Sequence, residues 1–273
     1  MNFKQLKLLA LCCMVFDHVT RIFPPSEALL PLAAALETAG HLDAALWLLE
    51  DVPLLLAYIG RLAAPIFLFC AANGFAHTHD IRAYCRRILL TALLAQLPYT
   101  LFDLAEQRLY GLTGNWRGTN LNILFTLFLG LAALWAWERL SAAGRRPLAY
   151  LAVAAAALLA HLLHTEGREG YILLIFVFYQ TRGLSRPRRA LWLLPATALS
   201  RWNLIRWAVT AATSTAVANC VLNAFGNYLG ALVTLAYNGE KGNAGRRSQW
   251  FFYVFYPAHF ALLALIGWLR PPF

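Results

Sequence analysis

Apolar runs recur along this chain, most of them about 15 to 25 residues long and so close to the length a helix needs to cross a hydrocarbon core of roughly 30 Å. They lie near residues 5–23, 53–76, 83–104, 120–138, 147–163, 169–181, 188–200, 207–237 and 249–269. The 273 residues are 60% hydrophobic and only 13% charged, and the mean hydropathy is +0.56, a membrane composition. The pattern predicts an all-α, polytopic integral membrane protein of about nine transmembrane helices, forming a single domain over residues 1–273.

The connecting segments orient it. Lys4 and Lys7 stand at the start of the first run, and Pro24 to Asp51 holds Glu27, Glu37, Asp43, Glu50 and Asp51 without a Lys or Arg. An excess of Lys and Arg marks cytoplasmic loops, so the N-terminus is expected inside. Alternation then continues through Arg82, Arg86 and Arg87, then Arg139, Arg145 and Arg146, then Arg182, Arg186, Arg188 and Arg189, then Lys241, Arg246 and Arg247. The net charge of +10 is therefore mostly positive-inside bias and attraction to anionic lipid. The basic residues flank spans and form no stripe with interleaved aromatics, which removes a nucleic-acid partner.

The first run is read as a span and not as a signal peptide, because no small-x-small site follows it and it carries charge. Residues 24–52 form an outer loop in which "AAALETAGHLDAALWLLE" suits a helix lying on the membrane surface, with Leu36, Leu42 and Trp47 towards lipid. Cys12, Cys13, Cys70, Cys85 and Cys220 are odd in number and lack CxxC spacing, so neither a disulfide framework nor a zinc site is expected. His77 and His79 have no third ligand nearby, and no metal is assigned.

Ionisable groups inside spans are costly unless paired or facing a cavity, and each is a candidate for function. At a rise of about 1.5 Å per residue, Asp17 and His18 lie roughly 18 to 20 Å from the cytoplasmic end of span one, Arg61 at a similar depth, and His259 roughly 14 Å in. Asn122 and Thr126 fall in the outer third of their span. Asp17 and Arg21 stand at i and i+4 and can pair on one face. Neighbouring residues point about 100° apart, so Asp17 cannot orient His18, whose partner must be Arg61, Tyr256 or His259 on another span. No GxSxG, HExxH, P-loop or GxGxxG motif appears. What remains is a buried His with an acid, guanidinium groups and amides, suited to proton transfer and oxyanion stabilisation.

The strings "MVFDH", "GRLAAPIF" at 60–67, "NGFAHT" at 73–78, "NILFT" at 122–126, "NGEKG" at 238–242 and "FYVFYPAH" at 252–259 together resemble the TraX family over nearly the whole chain. The resemblance implies a multi-pass acyltransferase of the bacterial inner membrane, typified by the protein that acetylates the N-terminus of conjugative pilin. It implies kinship with transmembrane acyltransferases that use cytoplasmic acyl-CoA and a buried His. Carried over by motif, the acid and His are Asp17 and His18, and the Arg is Arg61. "REGYILLIFVFY" has Gly170 before Tyr171 where the family order is the reverse, and no role is assigned within 139–220.

The expected function is transfer of an acetyl group from cytoplasmic acetyl-CoA to an amine or hydroxyl on a pilin, glycan or lipid headgroup at the outer side. His18 would act as general base or transient nucleophile, Asp17 and Arg21 would fix the helix face, and Arg61 or Asn122 would polarise the thioester carbonyl. Thr126, Tyr256 and His259 would line the substrate path. Asn238, Lys241, Arg246 and Arg247 would cradle the phosphates of the donor in a glycine-flanked turn. The competing class is a small-molecule transporter or lipid flippase, for which buried charges would mark the path.

Overall fold

The computed structural model describes residues 1–115, 118–242 and 246–273, with side chains at 203, 214–215 and 246–249 outside the described set. Among the described residues the secondary structure is helical, apart from one isolated bridge between Leu121 and Thr165. The helices are α1 (Phe3–Ile22), α2 (Pro25–Thr38), α3 (Leu42–Arg61), α4 (Ala63–His77), α5 (Ile81–Leu109), α6 (Ile123–Ala142), α7 (Arg146–Leu162), α8 (Arg168–Gln180), α9 (Arg186–Leu199), α10 (Trp202–Ala211), α11 (Ser214–Val233) and α12 (Arg246–Leu269), with a 3-10 turn at Thr234–Ala236.

Among the described residues, five segments are long and apolar enough to cross a membrane: Leu42–His77, Ile81–Leu109, Ile123–Ala142, Ala216–Ala236 and Trp250–Leu269. The other apolar runs of the sequence give helices that are shorter or more charged. α1 has 20 residues but carries Lys4, Lys7, Asp17 and Arg21. α8 and α9 have 13 and 14 residues, or roughly 20 Å each.

Residues 24–52 hold α2 and the first turns of α3. Gly40, at φ +83, turns the chain between α2 and α3, and α3 runs on from Leu42 into the segment expected to start at residue 53. Leu42 and Trp47 are exposed on α3. The apolar run 53–76 is itself interrupted, for α3 ends at Arg61 and α4 starts at Ala63. Pro65 has no N–H to give the Arg61 carbonyl, which loosens the helix at that point. The two helices therefore meet at Leu62 beside a guanidinium.

The core is built from α1, α4, α5, α6, α8 and α12, with Phe102, Phe178 and Phe260 among its largest fully buried side chains. α1 and the chain around α12 are tied together at both ends of α1. Phe3 N–H donates to Glu240 O at 2.9 Å at one end, and at the other Arg270 donates to Ile22 O at 2.8 Å and pairs with Glu27. Close helix contacts rest on small residues, as membrane packing favours: a Cβ on Gly230 of α11 would lie 2.7 Å from Leu62 O, and one on Gly226 would lie 2.9 Å from Arg61 Cβ. α11 is thereby seated directly on the α3/α4 break.

Candidate active site

Asp17, His18 and Arg21 occupy the last turns of α1, where α12, α5 and the end of α3 converge. His18 Nδ1 lies 3.0 Å from His259 Nε2, and the rings are stacked. His259 Nδ1 sits 3.2 Å from Phe255 O. A carbonyl only accepts, so His259 Nδ1 carries the proton and donates, and His259 Nε2 is left as an acceptor. His18 Nδ1 must then be the donor between the rings. The outcome is a His18 whose Nε2 holds a free lone pair.

The acid is placed to respond to protonation of that nitrogen. Asp17 Oδ2 stands 4.0 Å from His18 Nε2, beyond hydrogen-bond distance but close enough to stabilise an imidazolium. The same oxygen accepts from Arg21 Nη2 at 3.1 Å, and Arg21 Nη1 reaches Glu106 Oε2 on α5 at 3.4 Å. Gly60 makes this approach possible, because a Cβ there would stand 2.2 Å from Asp17 Oδ1. Phe102 and Phe260 cover the other faces of the His18 ring, at 5.5 and 4.6 Å between centroids.

The structure divides the remaining sequence candidates. Arg61 lies within electrostatic reach of Asp17, Arg201, Arg21 and Tyr171, and among the described residues its guanidinium has no hydrogen-bond or ion-pair partner. Tyr256 is buried with its ring 5.6 Å from that of His259. Asn122 is fully buried and fully engaged. Its Oδ1 caps α6 by accepting from Leu124 N–H, and its two amide protons are matched by Ala92 O and Gln96 Oε1, both 2.9 Å away. That leaves it no donor for a substrate carbonyl. Thr126 donates to Glu166 O at 2.6 Å and pins the α7/α8 loop.

At the start of α1 a cavity of about 390 Å³ opens between Lys7, His77, Arg87, Gly239 and Lys241. It runs inward past Leu11, Thr91 and Leu127 to Met14 and Tyr256. Its inner end is thus one helical turn from His18 and next to His259. The turn at its mouth is held by Asn238, whose Oδ1 accepts from Glu240 N–H at 3.1 Å and whose amide donates to Glu240 at 2.9 Å. Gly239, at φ +86, supplies a backbone conformation that other residues rarely adopt. The side chains of Arg246 and Arg247 lie outside the described residues. Among the described residues no three His, Cys, Asp or Glu gather as a metal would need.

A polar group missed in the sequence faces the same layer. Arg201 Nη2, between α9 and α10, donates to Tyr171 OH at 3.2 Å and to Asn227 Oδ1 at 3.1 Å. Glu166, in the α7/α8 loop, lies within electrostatic reach of Arg21, Asp17, Arg201 and Arg61. The available signal was an acid between two apolar runs followed by two glycines, of which Gly170 lies against the Ser200 backbone.

A family model described as TraX protein matches residues 2–267. A curated relative, named "Probable fimbrial assembly protein FimC, serogroup H1" from Dichelobacter nodosus, is 29% identical over 136 residues, covering 48% of this chain and 44% of its own length. No solved structure matches.

Proposed function

The chain belongs to the TraX family, and from that premise we propose that it is a membrane-embedded acyltransferase that moves an acetyl group from acetyl-CoA to an amine or hydroxyl acceptor. The observation that carries this reading is the free Nε2 of His18, one helical turn beyond the inner end of a cavity whose mouth is basic. From Lys7 to His18 is about 16 Å along α1, a distance suited to a donor anchored by its phosphates and reaching inward by an extended pantetheine arm. The relative's name ties it to fimbrial assembly, which favours a pilin acceptor. A glycan and a lipid headgroup are the other acceptors that this chemistry admits.

In the proposed step His18 Nε2 takes the proton of the acceptor N–H or O–H as the heteroatom attacks the thioester carbonyl. Asp17 stabilises the imidazolium that forms. The positive potential of Arg61 acts on the developing oxyanion. The tetrahedral intermediate then collapses with loss of the thiolate, which recovers the proton from His18. His259 does no chemistry in this scheme and serves to fix the tautomer of His18.

Purified protein given labelled acetyl-CoA and a membrane extract is expected to pass the label to an acceptor, and absence of any labelled species would refute the reading. Replacing Arg87 and Lys241 together by Gln should raise the acetyl-CoA requirement tenfold or more, a change on the order of 1.4 kcal/mol. The same exchange at exposed Arg186 and Arg188 should do much less. Equal effects would mean that surface charge in general holds the donor.

The reading also places nine crossings in the bacterial inner membrane, with the N-terminus inside. The shorter helices α7, α8 and α9 and the charged α1 would count as spans because neighbours in the bundle cover their polar groups. Single cysteines at Glu37 and Gly144 in a Cys-free background are then expected to react with an impermeant thiol reagent from opposite faces. Labelling of both from one face would remove this topology.

A further inference from the structure

Two guanidinium groups in the polar layer lack a counter-ion. Arg21 has two carboxylates, Asp17 at 3.1 Å and Glu106 at 3.4 Å. Arg61 and Arg201 repel one another, yet among the described residues neither has a carboxylate within ion-pair distance. Glu166 faces both from the α7/α8 loop, within electrostatic reach only. The hydrogen bonds of Arg201 go to two neutral oxygens, those of Tyr171 and Asn227, and its buried Nε has no partner. Among the described residues no carboxylate therefore balances Arg201 directly.

A guanidinium met only by neutral oxygens, with a buried Nε left without a partner, is costly, and the cost is relieved when an anion completes the site. A guanidinium presents five donors in a planar fork that suits carboxylate and phosphate oxygens. Four separate elements hold the geometry: Tyr171 on α8, Arg201 between α9 and α10, Asn227 on α11 and Arg61 at the end of α3. The fully buried Asn227 is fixed in turn by donating to Asn223 O at 3.1 Å.

We infer that Arg201, with Tyr171, Asn227 and the neighbouring Arg61, forms a site for an oxyanion, phosphate or carboxylate, carried by the acceptor. Through Arg61 the cluster lies within electrostatic reach of Asp17 and Arg21, and it shares no residue with the walls of the donor cavity. It would bind an acceptor through an anionic group set apart from the nucleophile, with Glu166 near enough to attract an ammonium on the same molecule. Only the word acceptor rests on the acyl-transfer reading. The test uses no donor, so the two stand or fall separately.

The purified protein in neutral detergent is titrated with dodecyl phosphate, with dodecanol as the uncharged twin and inorganic phosphate as the chain-free twin, and binding is read from the rise in thermal midpoint. Dodecyl phosphate should stabilise saturably and dodecanol should not. Arg201→Gln should weaken the binding tenfold or more, and Arg186→Gln should leave it unchanged. Should Arg201→Gln fail to fold, Asn227→Asp decides, since it places a carboxylate at the position now 3.1 Å from Arg201 Nη2 and should abolish the response. Equal stabilisation by dodecanol, or unchanged binding in Asn227→Asp, would overturn the site. Binding of inorganic phosphate without binding of dodecyl phosphate would overturn its assignment to an acceptor.

Discussion

His18→Ala should lose acyl transfer by a factor of about 10² to 10⁴, the range attached to a proton-transfer group, while remaining folded and extractable. The side chain fills space between Phe102, Phe260 and His259, but its polar contacts are one hydrogen bond to His259 and a 4.0 Å approach to Asp17. His259→Ala should lose less, because His18 would keep its lone pair and lose only the acceptor that fixes its tautomer. His259→Gln restores an acceptor oxygen and should recover part of that loss. Turnover of labelled acetyl-CoA by the three variants checks the order. Near-normal turnover by His18→Ala would remove His18 from the chemistry and make His259 the first candidate.

Asn122→Ala should be the most destabilising single exchange in the polar layer, at about 3 kcal/mol, through loss of a buried cap and of two hydrogen bonds to Ala92 and Gln96. Asn122→Asp keeps the acceptor for Leu124 N–H but turns two donors into acceptors facing oxygens, so it should rescue little. At roughly 2 to 4 °C per kcal/mol, the thermal midpoint of Asn122→Ala in detergent should fall by several degrees. A variant that melts with the parent but has lost transfer would instead return Asn122 to the reacting centre.

The helical bundle was legible because lipid imposes one rule on every crossing segment, that apolar side chains face out and amides close within the helix. The break at Leu62 was not, since hydropathy runs unbroken through it and Pro65 alone marks the spot. The same rule made Asp17, His18, Arg21 and Arg61 conspicuous, and the structure gathers them in one layer with His259. Asn122 was just as conspicuous, but its engagement as a helix cap was not legible, because a buried amide that caps a helix and one that binds substrate look alike in a string of letters. Arg201, Tyr171 and Asn227 escaped for the opposite reason. Each stands alone in its own stretch, and only the packing of α8, α9 and α11 brings them within hydrogen-bond range. Glu166 belongs with them, lying in a loop where an acid needs no explanation.

The seating of α11 on the α3/α4 break also bears on how relatives of this chain are sorted. A side chain at position 226 or 230 would strike Arg61 or the Leu62 backbone. A homologue that carries anything larger there must have altered residues 60–62 in compensation, or have moved the guanidinium. Paired variation between these two short stretches, far apart in the chain, is thus a signature that an alignment can display. It separates proteins that keep this charged layer from those that share only the number of helices.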